Sequence, residues 1–101
     1  MSEQEIEKEI QDKNLSAPRL TPALIDDAVK GKDFHVFGDA CLTVCCLTLK
    51  NGFTVTGESA CASPENFNKE IGEKIAFENA REKIWMLEGY LLKQKLFKAA
   101  Q

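Results

Sequence analysis

A chain of 101 residues and 11.3 kDa predicts a single domain, without room for separate catalytic and regulatory lobes. With 44% hydrophobic and 29% charged residues, six Gly and three Pro, it is neither wholly disordered nor collagen-like. Thirteen basic against sixteen acidic side chains leave a net charge of −3, which argues against a dedicated nucleic-acid binder.

The chain opens Met1-Ser2-Glu3-Gln4-Glu5, acidic and polar, so neither a secretory leader nor a membrane span is expected. Residues 2–14 are charged, with Ile6 and Ile10 as the only apolar stripe, and read as a frayed helix or a flexible tail. Asn14 to Leu20 reads as a linker. Residues 1–20 are therefore expected to be flexible or weakly docked, with one α+β domain over 21–101. Thr21-Pro22 signals a short helix, because Thr caps well and Pro suits the first helical position. Leu24, Ile25, Ala28 and Val29 would form its buried face and Gly31 its end. Phe34-His35-Val36-Phe37 predicts a brief strand or an extended connector before a Gly38-Asp39 turn.

Two β-rich runs, Cys41 to Leu49 and Phe53 to Thr56, flank Lys50-Asn51-Gly52 and predict a hairpin within 41–61. A two-residue Asn51-Gly52 turn would set Leu49 against Thr54 and mix polar with apolar on each face. A three-residue loop with Gly52 left-handed sets Leu49 against Phe53, Leu47 against Val55 and Thr48 against Thr54. Only the second register gives one clean apolar face, so it is the expected one. It also places Cys45 beside Gly57 and Cys41 opposite Cys61. Leu42, Val44 and Cys46 fall on the other face, which predicts that the start of this strand is covered on both sides.

Ser63-Pro64-Glu65 is a second helix start, and no strong breaker follows. The expectation is one long helix over 64–98, about 50 Å in length. Its acids come early (Glu65, Glu70, Glu73) and its lysines late (Lys93, Lys95, Lys98), in accord with the helix dipole. Phe77, Ala80, Ile84, Leu87 and Leu91 form one apolar seam. Trp85, Leu92 and Leu96 form a second, extended N-terminally by Phe67, Ile71 and Ile75. One hairpin and a short helix cannot cover so long a rod. A homo-oligomer, dimer or higher, is therefore expected, the alternative being a monomer whose N-terminal helix folds over the second stripe.

Candidate chemistry is thin. Cys41, Cys45, Cys46 and Cys61 do not suit one tetrahedral zinc ion. Cys45 and Cys46 are adjacent in a strand and point to opposite faces, while Cys41 and Cys45 sit about 13 Å apart along one. The thiols are expected to be reduced and structural, with no metal and no cofactor. His35 is the only histidine and lies in an apolar-flanked segment, so a nucleophile–histidine site would depend on it alone. Gly57-Glu58-Ser59-Ala60-Cys61 matches a nucleophile elbow only in part, lacking the final Gly. Glu78 and Glu82, beside Arg81 and Lys83, read as a solvated surface. No enzyme activity is expected.

Binding remains. Glu78, Arg81, Trp85 and Glu88 share one side of the long helix, and an arginine beside an aromatic ring suits charge recognition and stacking. The competing reading makes Trp85 part of the core and the charges its rim. A second row, Asn79, Lys83, Met86 and Tyr90, is equally available.

Several of these segments form an ordered set: Cys46 to Val55, Gly57-Glu58-Ser59-Ala60, Asn66-Phe67 through Gly72, Ala76, Asn79-Ala80-Arg81, Ile84-Trp85 and Leu87 to Leu91. Over roughly residues 21–96 this set resembles a family of small tailed-phage proteins, the phage gene-product forty-nine/gene-product sixty-six family. The resemblance implies a phage or prophage origin and expression in the cytoplasm of a bacterial host, and it carries over no catalytic residue. The resulting expectation is a non-enzymatic accessory protein acting in the host. It would work in counter-defence by sequestering a small nucleotide-like signal at an oligomer interface, with Arg81 and Trp85 as contacts. The alternative is a stoichiometric inhibitor that docks its long helix or hairpin edge on a host protein. Neither nucleic acid nor a membrane is an expected partner.

Overall fold

The computed structural model describes residues 2–38 and 41–101. Its elements are α1 (Glu3–Asp12), α2 (Pro22–Asp27), β1 (Val29–Phe37), β2 (Leu42–Leu49), β3 (Thr54–Ala60) and α3 (Lys69–Ala99). The strands form one antiparallel sheet in the order β1-β2-β3, and α3 packs against it through β2 and β3. The fold is α+β, as the sequence predicts, but the hairpin gains a third strand.

That strand changes the reading of the segment before it. Thr21 Oγ1 accepts a hydrogen bond from Leu24 N at 3.2 Å and Pro22 occupies the first turn, as expected of this helix start. The helix nevertheless ends at Asp27, not at Gly31. Val29 already pairs with Leu49, and Gly31 sits beside an irregularity in the β1–β2 register. Val29 continues the helical spacing of Ile25 and Ala28 only by coincidence. Gly38 closes β1, and Asp39, the other half of the expected turn, lies outside the described residues.

The β2–β3 hairpin adopts the three-residue register. Leu47 pairs with Val55, Thr48 with Thr54 and Cys45 with Gly57. Leu49 N donates to Phe53 O at 2.8 Å, and Gly52 N to Leu49 O at 2.9 Å. Gly52 has φ +91°, the left-handed region a side chain disfavours. Asn51 Oδ1 accepts from Phe53 N at 3.0 Å and fixes the corner.

Burial along β2 alternates strictly. Thr43, Cys45, Leu47 and Leu49 are buried, and with Val55, Ile25, Ala76, Ala80 and Ile84 they make the core. Leu42, Val44 and Cys46 are only half-buried, which corrects the expected cover on both faces. One long helix can cap only one face of a three-stranded sheet. The approach is close: a Cβ built on Gly57 would lie 2.2 Å from Ala80 N and 2.4 Å from Ala76 O. Backbone packs on backbone there.

The long helix also begins later than expected. Pro64–Asn66 form a separate 3₁₀ turn, and Phe67 is extended at φ −68°, ψ 128°. The Ser63 side chain makes no capping bond. Asn68 is the cap instead, its Oδ1 accepting from Ile71 N at 3.0 Å. The 31 residues of α3 span about 46 Å, whereas the eight of β2 span about 27 Å. The helix therefore overhangs the sheet. Its buried residues, Gly72, Ala76, Ala80, Arg81 and Ile84, stop well short of its end. Of the first predicted seam, Leu91 is already 47% exposed; of the second, Ile71, Ile75 and Leu96 are exposed as well.

Of the two readings of the N-terminal segment, a frayed helix or a flexible tail, the helix is found, over Glu3–Asp12. Ser2 Oγ caps α1 by accepting from Glu5 N at 3.1 Å. The helix buries none of its residues.

Candidate functional site

Two of the four predicted binding residues come together, around a group that the sequence pattern does not single out. Arg81 lies in the middle of α3 and is 8% exposed. Its Nε donates to Asp26 Oδ1 at 2.8 Å, and its Nη2 also reaches Pro22 O at 3.3 Å. Nη1 and Nη2 donate to the two carboxylate oxygens of Glu3 at 2.7 and 2.9 Å, a bidentate fork. Trp85, one turn further along α3, donates Nε1 to Glu3 Oε2 at 3.2 Å. Arg81 is held above the ordinary guanidinium range, first by the Glu3 hydrogen bonds, against desolvation, and then by Asp26.

Glu78 is exposed and outside this cluster, and Glu88 is half-buried elsewhere on the helix. Glu3 and Asp26 complete the cluster from 78 and 55 positions away, separations no helical periodicity can report.

A second feature lies where α3 overhangs the sheet. A groove of about 840 Å³ runs between α2, the β2–β3 loop and the C-terminal half of α3. Leu20, Leu24, Phe53, Met86, Tyr90 and Leu91 supply its apolar walls. Lys50, Lys95 and Arg19 stand at its edge together with Asp27 and Glu88. Met86 and Tyr90 belong to the second row noted in the sequence, and both are more than 70% exposed. From that row Asn79 instead ties α3 to the sheet, its Nδ2 donating to Glu58 O at 2.8 Å. Arg19 also links the groove to α1, forking onto Glu7 at 2.6 and 2.8 Å. That fork draws the Glu7 carboxyl below its ordinary range.

The remaining candidates are placed as follows. All four cysteines are free thiols, and burial pushes the Cys45 thiol up. Cys61 N donates to Cys41 O at 3.0 Å, and the Cys41 thiol is pushed up by its hydrogen bond with Cys61. Among the described residues no three His, Cys, Asp or Glu side chains are grouped to hold a metal ion. His35 is exposed on β1, its ring edge-on to Phe37 at 4.6 Å. Gly57 to Ala60 lie within β3, so Ser59 occupies a strand and not a strand-to-helix elbow.

Over residues 20–96 the chain matches the model of the phage protein (N4 Gp49/phage Sf6 gene 66) family, and it belongs to that family. Neither a curated protein nor a solved structure gives a match. Among the described residues no helix is long and apolar enough to cross a membrane.

Proposed function

We propose that this member of the phage protein family is a non-catalytic binding module acting in the bacterial host, where it sequesters a small nucleotide-like signal in counter-defence. The observation that carries the reading is the groove. Its volume of about 840 Å³ falls in the range of small-molecule sites, and its chemistry suits the ligand class. Phe53 and Tyr90 offer faces for a base, and Lys50 and Lys95 offer charge for phosphate. Among Glu78, Arg81, Trp85 and Glu88, the groove reading retains Glu88 as a lining residue.

The groove is open on one side, and a second copy of the chain is the occupant that closes it. Leu24, Phe53, Met86, Tyr90 and Leu91 are each between 47% and 75% exposed, more apolar surface in one place than a soluble monomer usually leaves bare. The edge carries both signs of charge.

Native mass spectrometry of the protein recovered from infected cells tests both halves of the proposal. The expected result is a multiple of the 11.3 kDa chain with additional small-molecule mass. Tyr90→Asp, at a side chain 72% exposed, should give monomers without cargo. Bare chains joined by a stoichiometric host protein would instead favour inhibition through the long helix or the hairpin edge. A wild-type monomer with neither cargo nor partner overturns both readings.

A further inference from the structure

The helix α1 is attached in an unusual way. It buries no residue, and Ile6 on its apolar stripe is 45% exposed. Its grip on the rest of the molecule comes from two carboxylates, each received by a forked guanidinium: Glu3 by Arg81 and Glu7 by Arg19. Hydrophobic burial adds little to this attachment.

The receiving group at Glu3 is built independently of α1. Arg81 is buried, and its Nε edge is fixed by Asp26 and its position by α3. What remains is the Nη1/Nη2 edge of the guanidinium, beside the indole N–H of Trp85, all aimed at one place. Three converging donors, two of them on a fixed cation, recognise a two-oxygen anion. Glu3 fills that place while keeping 36% of its side chain in solvent, so its seat is reachable from outside.

We infer that Arg81 and Trp85 form an oxyanion site for a carboxylate or phosphate group, which the chain's own Glu3 occupies, and that α1 is a strap displaced when such a group binds from solution. The strap is joined to α2 by residues 13–21, which carry no helix or strand, so its release breaks no other element. Releasing α1 also frees Arg19 at the edge of the groove. The site stands apart from the proposed groove, because Glu3, Asp26, Arg81 and Trp85 are not among the residues that line it.

Displacement has a measurable consequence. A site closed by its own strap nine-tenths of the time binds a free ligand about tenfold more weakly than the open site. Trp85 is the only tryptophan, so its fluorescence reports the site directly. Inorganic phosphate and glutarate are titrated against chloride at matched ionic strength, into the full-length wild type and Glu3→Ala. The expected result is saturable binding at least about tenfold tighter in Glu3→Ala. The better of the two probes shows whether phosphate or carboxylate is the preferred source of the group. Adding Arg81→Lys to Glu3→Ala should remove the gain, since an ammonium cannot present the fork. Should Glu3→Ala fail to fold, hydrogen exchange on the wild type decides, because saturating phosphate or glutarate should speed exchange across Glu3–Asp12. Equal affinity in wild type and Glu3→Ala, a gain that survives Arg81→Lys, or exchange in α1 unchanged by both anions would each overturn the inference. Tyr90→Asp should leave this binding intact while dissolving the assembly, which separates failure here from failure of the groove reading.

Discussion

Replacing Gly57 by alanine tests the central packing contact of the fold. The added Cβ would lie 2.2 Å from Ala80 N, 2.4 Å from Ala76 O and 2.8 Å from Ala80 Cα, all backbone atoms of α3. The shortest of these is about 1.2 Å inside the 3.4 Å at which ordinary contact begins. No side chain can rotate to relieve it, so strand and helix must separate by about that distance. A gap of 0.5–1 Å already forfeits roughly a quarter to a half of each dispersion contact. Ala76, Ala80 and Ile84 would lose that share against Cys45, Leu47 and Val55. The expected loss is about 3 kcal/mol or more, at the upper end of overpacking effects. In a domain of this size that lowers the melting temperature by roughly 12–24 °C, a large part of a total stability of about 5–15 kcal/mol. Thermal unfolding followed by circular dichroism gives the comparison, with two other glycines as internal standards. At Gly72 the nearest atom is the Thr43 hydroxyl at 2.9 Å, a side-chain atom rather than backbone, so Gly72→Ala should fall between. At Gly31 nothing lies within 4 Å, and Gly31→Ala should melt like wild type. Equal melting temperatures for the Gly57 and Gly31 variants would refute the backbone contact between α3 and β3.

Thr43 is fully buried on β2, and its Oγ1 has no hydrogen-bond partner. Thr43→Val keeps the shape and removes the orphaned hydroxyl, so chemical denaturation should report a gain of about 1 kcal/mol; a loss would mean that the hydroxyl is satisfied. Gly52→Ala meets no neighbour within 4 Å, yet must hold a side chain at φ +91°, and should lower stability by about 1–2 kcal/mol on the same assay. Acidification should loosen α1. Arg19 depresses the Glu7 carboxyl in the folded state, so the stabilisation from this pair is fully present above the ordinary value of 4.5 and fades as pH falls through the lower, folded one. Protection of the amides across Glu3–Asp12, taken relative to their intrinsic exchange at each pH, should therefore fall below about pH 4.5, less so in Glu7→Gln, and an unchanged profile in that variant would assign the effect to another group.

How much of this could be read from the chain follows the range of the interactions. The β2–β3 register was legible because side chains two apart share a face, and because Gly52 stands where a left-handed residue is needed. β1 was legible only at Phe34–Phe37. Its first half, Val29-Lys30-Gly31-Lys32-Asp33, is charged and irregular, as an edge strand protected from further pairing tends to be. The start of α3 was displaced because Ser63-Pro64 and Asn68 are both sound helix signals, and Phe67 in an extended conformation decides between them. Among the candidate binding residues, the helical period groups Arg81 with Trp85, and both donate to Glu3. It could not supply Glu3, whose position depends on a tertiary contact between α1 and the middle of α3.

The distribution of residue size along α3 bears on what the molecule is built to do. Where the helix meets the sheet its buried positions include Gly72, Ala76 and Ala80, and the opposing strand offers Gly57. Small residues here draw the backbones together but bury little apolar area, so the intrachain core stays thin. The large side chains Met86, Tyr90, Leu91 and Phe97 all lie beyond this contact, each 47–75% exposed. In the proposed assembly, a second copy gives the overhanging half of α3 a surface to meet. Because Met86, Tyr90 and Leu91 also line the groove, that surface and the proposed ligand pocket are the same place. Assembly and cargo are thereby expected to be lost together on mutation of Tyr90, whereas a partner that used only the helix would separate them.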